Sequence, residues 1–108
     1  MNYRVIVEPT AERGIRESYE WLANHLSPDA ATRWYNALEK SILSLAKLPL
    51  RYPIAAENDS FPEEIREMLH GKRPHVYRIL YTIRQDAVSV LSVRHAARDE
   101  IRDESDRE

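Results

Sequence analysis

Apolar residues recur every three or four positions through the first half of the chain, which is the spacing of amphipathic helices. Ile15, Tyr19, Leu22 and Leu26 follow this spacing and predict a first helix over about residues 10–26. Such a stripe stabilises a helix only when it is buried against a partner. The first helix is therefore expected to pack on another element.

A second helix begins at a strong start signal. Ser27 can cap it, Pro28 suits its first position, and Asp29 meets the positive end of the helix dipole. Thr10 gives the first helix a weaker cap, and the second is expected to run to about Lys47. Because the connector is very short, the helices should form an antiparallel hairpin. The apolar stripe of the second helix is Trp34, Leu38, Ile42 and Leu45.

Most of the remaining chain has the β-branched, aromatic and alternating pattern of strands. Strands are predicted over about residues 65–69, 76–84 and 87–95, and a short one over residues 3–8 precedes the helices. Prolines interrupt residues 48–62, which are expected to form a loop. The order β-α-α-β-β-β predicts an α+β fold, with an antiparallel twisted sheet packed against the helical hairpin.

The last two strands predict which side chains share a face. A two-residue turn at residues 85–86 would place Tyr81 opposite Val90, on the more aromatic face, which we expect to lie under the helices. The same register brings Arg78 and His95 together on the other face, near one end of the sheet. A slip of one residue would exchange the two faces, and the turn lacks the glycine that such hairpins favour.

Composition limits the class of protein. With 108 residues, the chain is expected to form one domain over residues 1–99, followed by an acidic tail over residues 100–108. It has no cysteine, which excludes disulfides and cysteine-ligated zinc. Neither a membrane-spanning run nor the apolar core of a signal peptide is present, so a cytoplasmic location is expected.

Charge is distributed unevenly, although the formal net charge is only −2. Residues 70–98 carry six Lys and Arg against Asp86 alone, whereas residues 99–108 carry six Asp and Glu against two Arg. A basic sheet followed by an acidic tail indicates a charged partner, although solvated surface charge would give the same pattern.

Arg78 and His95 are the candidates for chemistry. Arg78 can bind an anion or phosphate, or it can be paired to an acid such as Glu67. His95 can act as a general acid or base, or it can be bonded to a backbone carbonyl at the end of its strand. His70 and His75 have no partner at a recognisable metal-ligand spacing, so neither a metal nor a cofactor is expected.

Five short motifs occur in a characteristic order. They are Pro49-Leu50-Arg51-Tyr52-Pro53, Glu64-Ile65-Arg66, Gly71-Lys72, Tyr77-Arg78-Ile79-Leu80-Tyr81 and Arg94-His95-Ala96-Ala97-Arg98-Asp99. Together with the order of elements, they resemble the RelE/ParE superfamily of type II toxins, in its ParE-like, plasmid-stabilisation branch. The resemblance covers about residues 3–99. It implies a bacterial growth-inhibiting toxin, held inactive by a cognate antitoxin encoded beside it.

The resemblance implies two alternative activities. RelE-like members cleave mRNA on the ribosome without a metal, whereas ParE-like members inhibit DNA gyrase and hydrolyse nothing themselves. The RelE-type arginines fall on Arg66, Arg78 and Arg98. Since an arginine stays protonated and is a poor base, His95 is the obvious titratable candidate for a ribonuclease.

Two positions depart from the RelE pattern. Met68 stands where a second basic residue would be needed, and Glu104 stands near the position of a tyrosine. Gyrase inhibition needs only a recognition surface, so these losses do not affect it. A ParE-like activity is therefore expected first. A metal-free ribonuclease and a non-toxic interaction module remain as alternatives.

Both activities require partner surfaces. The antitoxin is expected to lay an amphipathic helix, and a strand, over the two helices and the sheet edge. Trp21, Trp34 and Tyr35 could anchor it, although Trp34 could equally belong to the core. The residues expected to contact the target of a ParE-like toxin are Lys72, Arg73, Arg94 and Asp99.

Overall fold

A computed structural model describes residues 2–97 of the chain. Its helices and strands are β1 (Arg4–Val7), α1 (Pro9–His25), α2 (Pro28–Leu43), β2 (Arg66–Lys72), β3 (His75–Arg84) and β4 (Ala87–His95). The predicted α+β class and the order β-α-α-β-β-β are confirmed. Arg98, Asp99, Glu104 and the rest of the predicted acidic tail lie outside the described residues.

Both helices begin at a proline. Proline lacks a backbone N–H, and at the first helical position an N–H would have no acceptor within the helix, so nothing is lost there. Ser27 caps α2 as predicted, and its Oγ accepts a hydrogen bond from the Ala30 amide at 3.0 Å. The predicted cap of α1 at Thr10 is wrong. That helix starts one residue earlier at Pro9, and its N-cap residue Glu8 makes no side-chain capping bond.

Short 3-10 turns connect α2 to β2. They span Ser44–Ala46, Pro49–Arg51 and Ala56–Ser60. The first turn takes over at the end of α2, so the α-helix stops at Leu43 rather than near Lys47 as predicted. The prolines of this segment exclude a regular helix, which is why it forms a loop.

The sheet has the strand order β1-β4-β3-β2. The last three strands form an antiparallel meander, and β1 pairs in parallel with β4. β2 continues to Lys72, three residues beyond its predicted end, and Gly71 within it adopts φ +100° where a β-carbon would lie 2.3 Å from the His75 carbonyl oxygen.

A β-bulge interrupts the pairing of β3 with β4. The predicted pairing of Tyr81 with Val90 is confirmed, but Leu91 has no partner and the next pair is Leu80 with Ser92. A bulge inserts one residue into one strand, so the pairing beyond it is shifted by one.

The bulge overturns the predicted placement of His95. It lies opposite Tyr77, on the face that packs against the helices, and it does not share a face with Arg78. Arg78 instead lies opposite Arg94, on the other face of the sheet. The two residues that the sequence placed together are thus separated by the sheet itself.

The main core lies between the aromatic face of the sheet and the two helices. The later part of the 44–60 loop, from Ala55 onwards, lies over the other face, which we call the helix-free face and which carries Arg78, Leu80 and Arg84 of β3. A small second core forms there, where Ala55 and Ile65 pack with Leu80. The main core includes Leu22, Leu38, Ile42, Leu45, Met68, Tyr77, Ile79, Tyr81, Val88, Val90 and Val93.

Gly14 allows α1 to approach β4 closely. A β-carbon at this position would lie 2.3 Å from the carbonyl oxygen of Val93, well inside van der Waals contact. The helix-weakening glycine is therefore required by packing rather than by a turn.

Candidate functional site

Arg78 lies at the centre of an ion-pair network on the helix-free face. Its Nε donates to Glu67 Oε1 at 2.8 Å, and its Nη2 donates to Glu57 Oε1 at 2.6 Å. Burial alone would lower the pKa of Arg78, but these hydrogen bonds raise it above its ordinary value. The guanidinium therefore stays charged and is paired to an acid, Glu67, as the second alternative for this residue predicted.

Arg84, further along β3, has the same arrangement. It donates to both carboxylate oxygens of Glu63, at 2.6 and 2.9 Å, and lies 3.8 Å from Glu8. The hydrogen bond from Arg84 lowers the pKa of Glu63. The ion pairs of Arg78 and Arg84 thus bring four carboxylates to two guanidiniums. This part of the helix-free face is not the basic surface that the sequence suggested.

Arg66, the first RelE-type position, holds the loop to the sheet. Its Nη1 donates to the Tyr52 carbonyl at 2.6 Å and to the Leu50 carbonyl at 3.3 Å, and its Nη2 pairs with Glu64 at 3.0 Å. These bonds satisfy loop carbonyls that would otherwise lack a partner. The structure therefore gives Arg66 a role in fixing the loop.

An aromatic and histidine cluster surrounds His95 on the helix side. The His95 ring lies 5.0 Å from Tyr77, 5.7 Å from His75 and 6.5 Å from Trp21, between ring centroids. His25 stacks on Trp21 at 4.2 Å. This cluster was not predicted from the sequence, because its members come from α1, β3 and β4 and the bulge that brings His95 to this side leaves no mark in the sequence.

His95 is buried, and its Nδ1 accepts a hydrogen bond from the Ala97 amide at 3.2 Å. Since Nδ1 accepts, a neutral ring carries its proton on Nε2. The backbone bond at His95 Nδ1 thus comes from an amide, whereas the backbone-bonded alternative had expected a carbonyl partner. Its burial among rings does not resemble the open site of a general base.

The expected target-contacting residues of the described range lie towards one end of the sheet, where the register puts Lys72 on the helix side and Arg94 on the helix-free face. Lys72, the last residue of β2, and Arg73, in the turn to β3, are exposed, and Arg94 lies near the end of β4, where its Nε donates to Ser92 Oγ at 2.9 Å. The pairing of Tyr77 with His95 brings the start of β3 and the end of β4 together at this end. Asp99 and Arg98 lie outside the described residues.

An apolar groove of about 740 Å³ runs between β1, α1 and α2. Tyr35, which is 41% exposed, lies on its wall, so one of the three expected antitoxin anchors is found there. Trp21 and Trp34 do not line it. Trp34 packs instead on Tyr77 at 5.0 Å, which supports its assignment to the core. The apolar residues of the groove include Val5, Val7, Ile15, Tyr19, Leu38, Ile42 and Leu43.

One side of the groove is an open sheet edge. The amides of Arg4 and Glu8 donate towards β4, so those of Val5 and Val7 point away from it by alternation. Within residues 2–97, no strand pairs with the outer side of β1. An added strand could bond there.

Residues 2–97 contain neither a candidate metal site nor a candidate membrane span. No group of three or more His, Cys, Asp or Glu side chains there could hold a metal ion. No helix in that range is long and apolar enough to cross a bilayer.

Comparison with known proteins relates the chain to a toxin family and to several solved structures, of which two are described below. The family described as "ParE toxin of type II toxin-antitoxin system, parDE" matches residues 5–100. No curated protein sequence matches.

The structural likenesses concern the fold. A chain of the "Chromosomal ParDE TA system from P. aeruginosa" superposes with a TM-score of 0.69, at 9% identity, over 86% of this chain and 95% of that chain. An arginine-to-alanine double mutant of E. coli toxin RelE in the free state superposes with a TM-score of 0.54, at 20% identity, over 95% of this chain and 93% of that chain.

Proposed function

The chain belongs to the ParE family of type II toxin–antitoxin toxins, and from that premise we propose that it arrests growth by binding DNA gyrase rather than by cleaving mRNA. The observation that carries the proposal is the state of Arg78, held between Glu57 and Glu67. A guanidinium that already has two carboxylates as partners is poorly placed to stabilise the charge of a cleaved phosphodiester.

The other groups that metal-free RNA cleavage would need are also unsuitable. Such cleavage requires a base for the 2′-hydroxyl and an acid for the leaving oxygen. His95 lies on the opposite face of the sheet from Arg78, and Met68 is buried in the core. The buried Tyr81 hydroxyl donates to the Pro49 carbonyl, and burial raises the pKa of Tyr81 to about 12. These placements favour an activity based on binding.

We expect the gyrase contact at the end of the sheet that carries Lys72, Arg73 and Arg94. Lys72 and Arg73 are exposed, and their charge would speed encounter with an acidic protein surface. Arg98 and Asp99 follow β4 in the chain and remain part of this proposal.

A supercoiling assay with purified gyrase tests the proposal. Micromolar toxin should inhibit supercoiling, and the variant Lys72→Glu/Arg73→Glu should inhibit at least about tenfold less, since the charge reversal repels an acidic partner. Growth arrest without gyrase inhibition would refute it. Primer-extension mapping of mRNA after induction distinguishes the ribonuclease, which would produce new mRNA ends.

We further propose that the cognate antitoxin binds in the apolar groove and along the open edge of β1. An amphipathic helix could bury its apolar face against Ile15 and the exposed Leu43, with Tyr35 as an aromatic anchor at the rim. A strand could add to Val5 and Val7 through backbone hydrogen bonds. The expected partner is the product of the neighbouring gene.

A further inference from the structure

We propose that Glu57 and Glu67 are specificity-determining residues that keep nucleic acid off the helix-free face, because they occupy the guanidinium that a phosphate would otherwise bind. The inference goes beyond the proposed function, since it concerns what this face excludes and holds whichever protein the toxin inhibits.

The geometry around Arg78 is that of a filled anion site. Two of its guanidinium nitrogens donate to carboxylate oxygens at 2.6 and 2.8 Å, which are the distances of charge-assisted hydrogen bonds. A guanidinium binds carboxylate and phosphate with the same planar set of N–H donors. The Arg78 side chain is only 16% exposed. A phosphate could therefore reach these donors only by displacing a carboxylate.

The two carboxylates come from different parts of the fold. Glu67 belongs to β2, where it is paired with Leu80 of the neighbouring strand. Glu57 belongs to the 3-10 turn Ala56–Ser60, which the loop brings over the helix-free face. The sheet thus supplies one partner of Arg78 and the loop supplies the other.

The local charge opposes nucleic acid as well. The carboxylates of Glu57 and Glu67 offset the positive charges of Arg78 and of Arg94, which lies opposite it, and Glu63 and Glu8 leave a net negative charge at Arg84. Nucleic-acid affinity depends on cationic side chains that replace the counterions of the phosphates. Removing the charges of Glu57 and Glu67 should make this part of the face positive and let a phosphate compete for the Arg78 donors that the two carboxylates now hold.

The experiment measures binding of a fluorescein-labelled single-stranded RNA by fluorescence anisotropy. The variant Glu57→Gln/Glu67→Gln keeps the shape of both side chains and removes their charge. We expect it to bind at least about tenfold more tightly than the wild type in low salt, with the gain shrinking as salt is raised. Equal binding by the folded variant and the wild type would overturn the proposal.

A matched control separates the effect of removing carboxylates beside Arg78 from the effect of changing the protein's net charge. Glu20→Gln/Glu39→Gln makes the same change in net charge, at exposed sites on α1 and α2. The proposal requires that this control gains little, and an equal gain would overturn it. Adding Arg78→Gln to the Glu57/Glu67 variant should abolish the gain. Retention of the gain would show that another cation binds the RNA.

Circular dichroism and a thermal melt verify the fold of each variant. If the double variant does not fold, the RNA binding of the single variant Glu57→Gln tests the proposal, because this variant leaves the Arg78–Glu67 pair in place. A gain of about threefold would then support the proposal, and no gain would overturn it. Gyrase inhibition is measured separately, so a failure of the proposed function would not be mistaken for a failure of this one.

Discussion

At the scale of single residues, Gly14 lies where α1 packs directly on the backbone of β4. In an exposed helix, replacing glycine with alanine would stabilise by about 1 kcal/mol. Here the new β-carbon would lie 2.3 Å from the Val93 carbonyl oxygen, and a backbone atom cannot move aside as easily as the end of a flexible side chain. Overpacking of this kind costs about 1–3 kcal/mol, so Gly14→Ala should destabilise the fold.

Urea unfolding measures this effect. The matched control is Glu20→Ala, at an exposed position of the same helix, where the change should stay within about 0.5 kcal/mol. A Gly14→Ala protein as stable as the wild type would mean that α1 can move away from β4 without loss.

His70 predicts a pH dependence of stability. It is half-buried, its Nδ1 lies 3.0 Å from Ser41 Oγ, and burial lowers its pKa. Below about pH 6.5, the unfolded state takes up a proton that the folded state resists. This contribution to stability is therefore lost as the pH falls from about 6.5 towards the lowered pKa of the folded state.

The pH effect is measured by urea unfolding at about pH 7.5 and 5.5, on either side of the ordinary histidine pKa. His70→Gln should lose less stability on acidification than the wild type. Leu69→Gln, an exposed neighbour that does not titrate, should keep the full loss. Identical losses in all three proteins would contradict the assignment to His70.

The type of residue at position 78 was enough to predict an ion pair there, but not all of its partners. The sequence identified Arg78 as a charge among apolar strand residues and named Glu67 as a possible partner, which the structure confirms. Glu57 was not identified, because it comes from a loop with no periodic pattern. His95 was predicted on the wrong face for a different reason, which is the β-bulge in the pairing of β3 with β4.

At the scale of elements, the start of α2 was predicted more reliably than the start of α1. Ser27 makes its capping bond to the Ala30 amide, whereas Thr10 lies inside α1. Ser27→Ala should therefore cost about 1 kcal/mol of unfolding free energy, and Thr10→Ala much less. Thermal or urea unfolding of the two variants checks this. Equal losses would mean that the cap contributes nothing.

The existence and type of each strand followed from alternation and β-branched residues, but the register of β4 did not. Leu91 has no partner in β3, and the apolar run of β4 gives no sign of where the extra residue falls. One such residue moves His95 from one face to the other. A bulge is decided by packing on both faces of a sheet, which a linear pattern does not contain.

At the scale of the whole molecule, the groove and the cluster of cations at the end of the sheet are separate surfaces. Toxicity and neutralisation should therefore be separable by mutation. Leu43→Glu, at a 59% exposed position of the groove, should weaken binding of the neighbouring gene product by at least about tenfold, because it puts a charge in an apolar contact. Growth arrest should persist.

Isothermal titration with the purified partner and a growth assay measure the two properties. Leu26→Glu is the matched control, since Leu26 is 55% exposed but does not line the groove. It should leave both properties unchanged. If Leu43→Glu binds the partner normally, the antitoxin does not use this groove.

The amino-acid sequence by itself determined the class of fold, the order of its elements, the helical hairpin, the proline-rich loop and the toxin family. Those features follow from local spacing, capping residues and short motifs, which are properties of neighbouring positions. Tertiary structure alone decided that Glu57 reaches Arg78, that His95 joins an aromatic cluster, and that a groove opens beside β1. The physical reason is that these contacts join residues far apart in the chain. Their distances depend on how the loop covers the sheet and where the bulge shifts the strand.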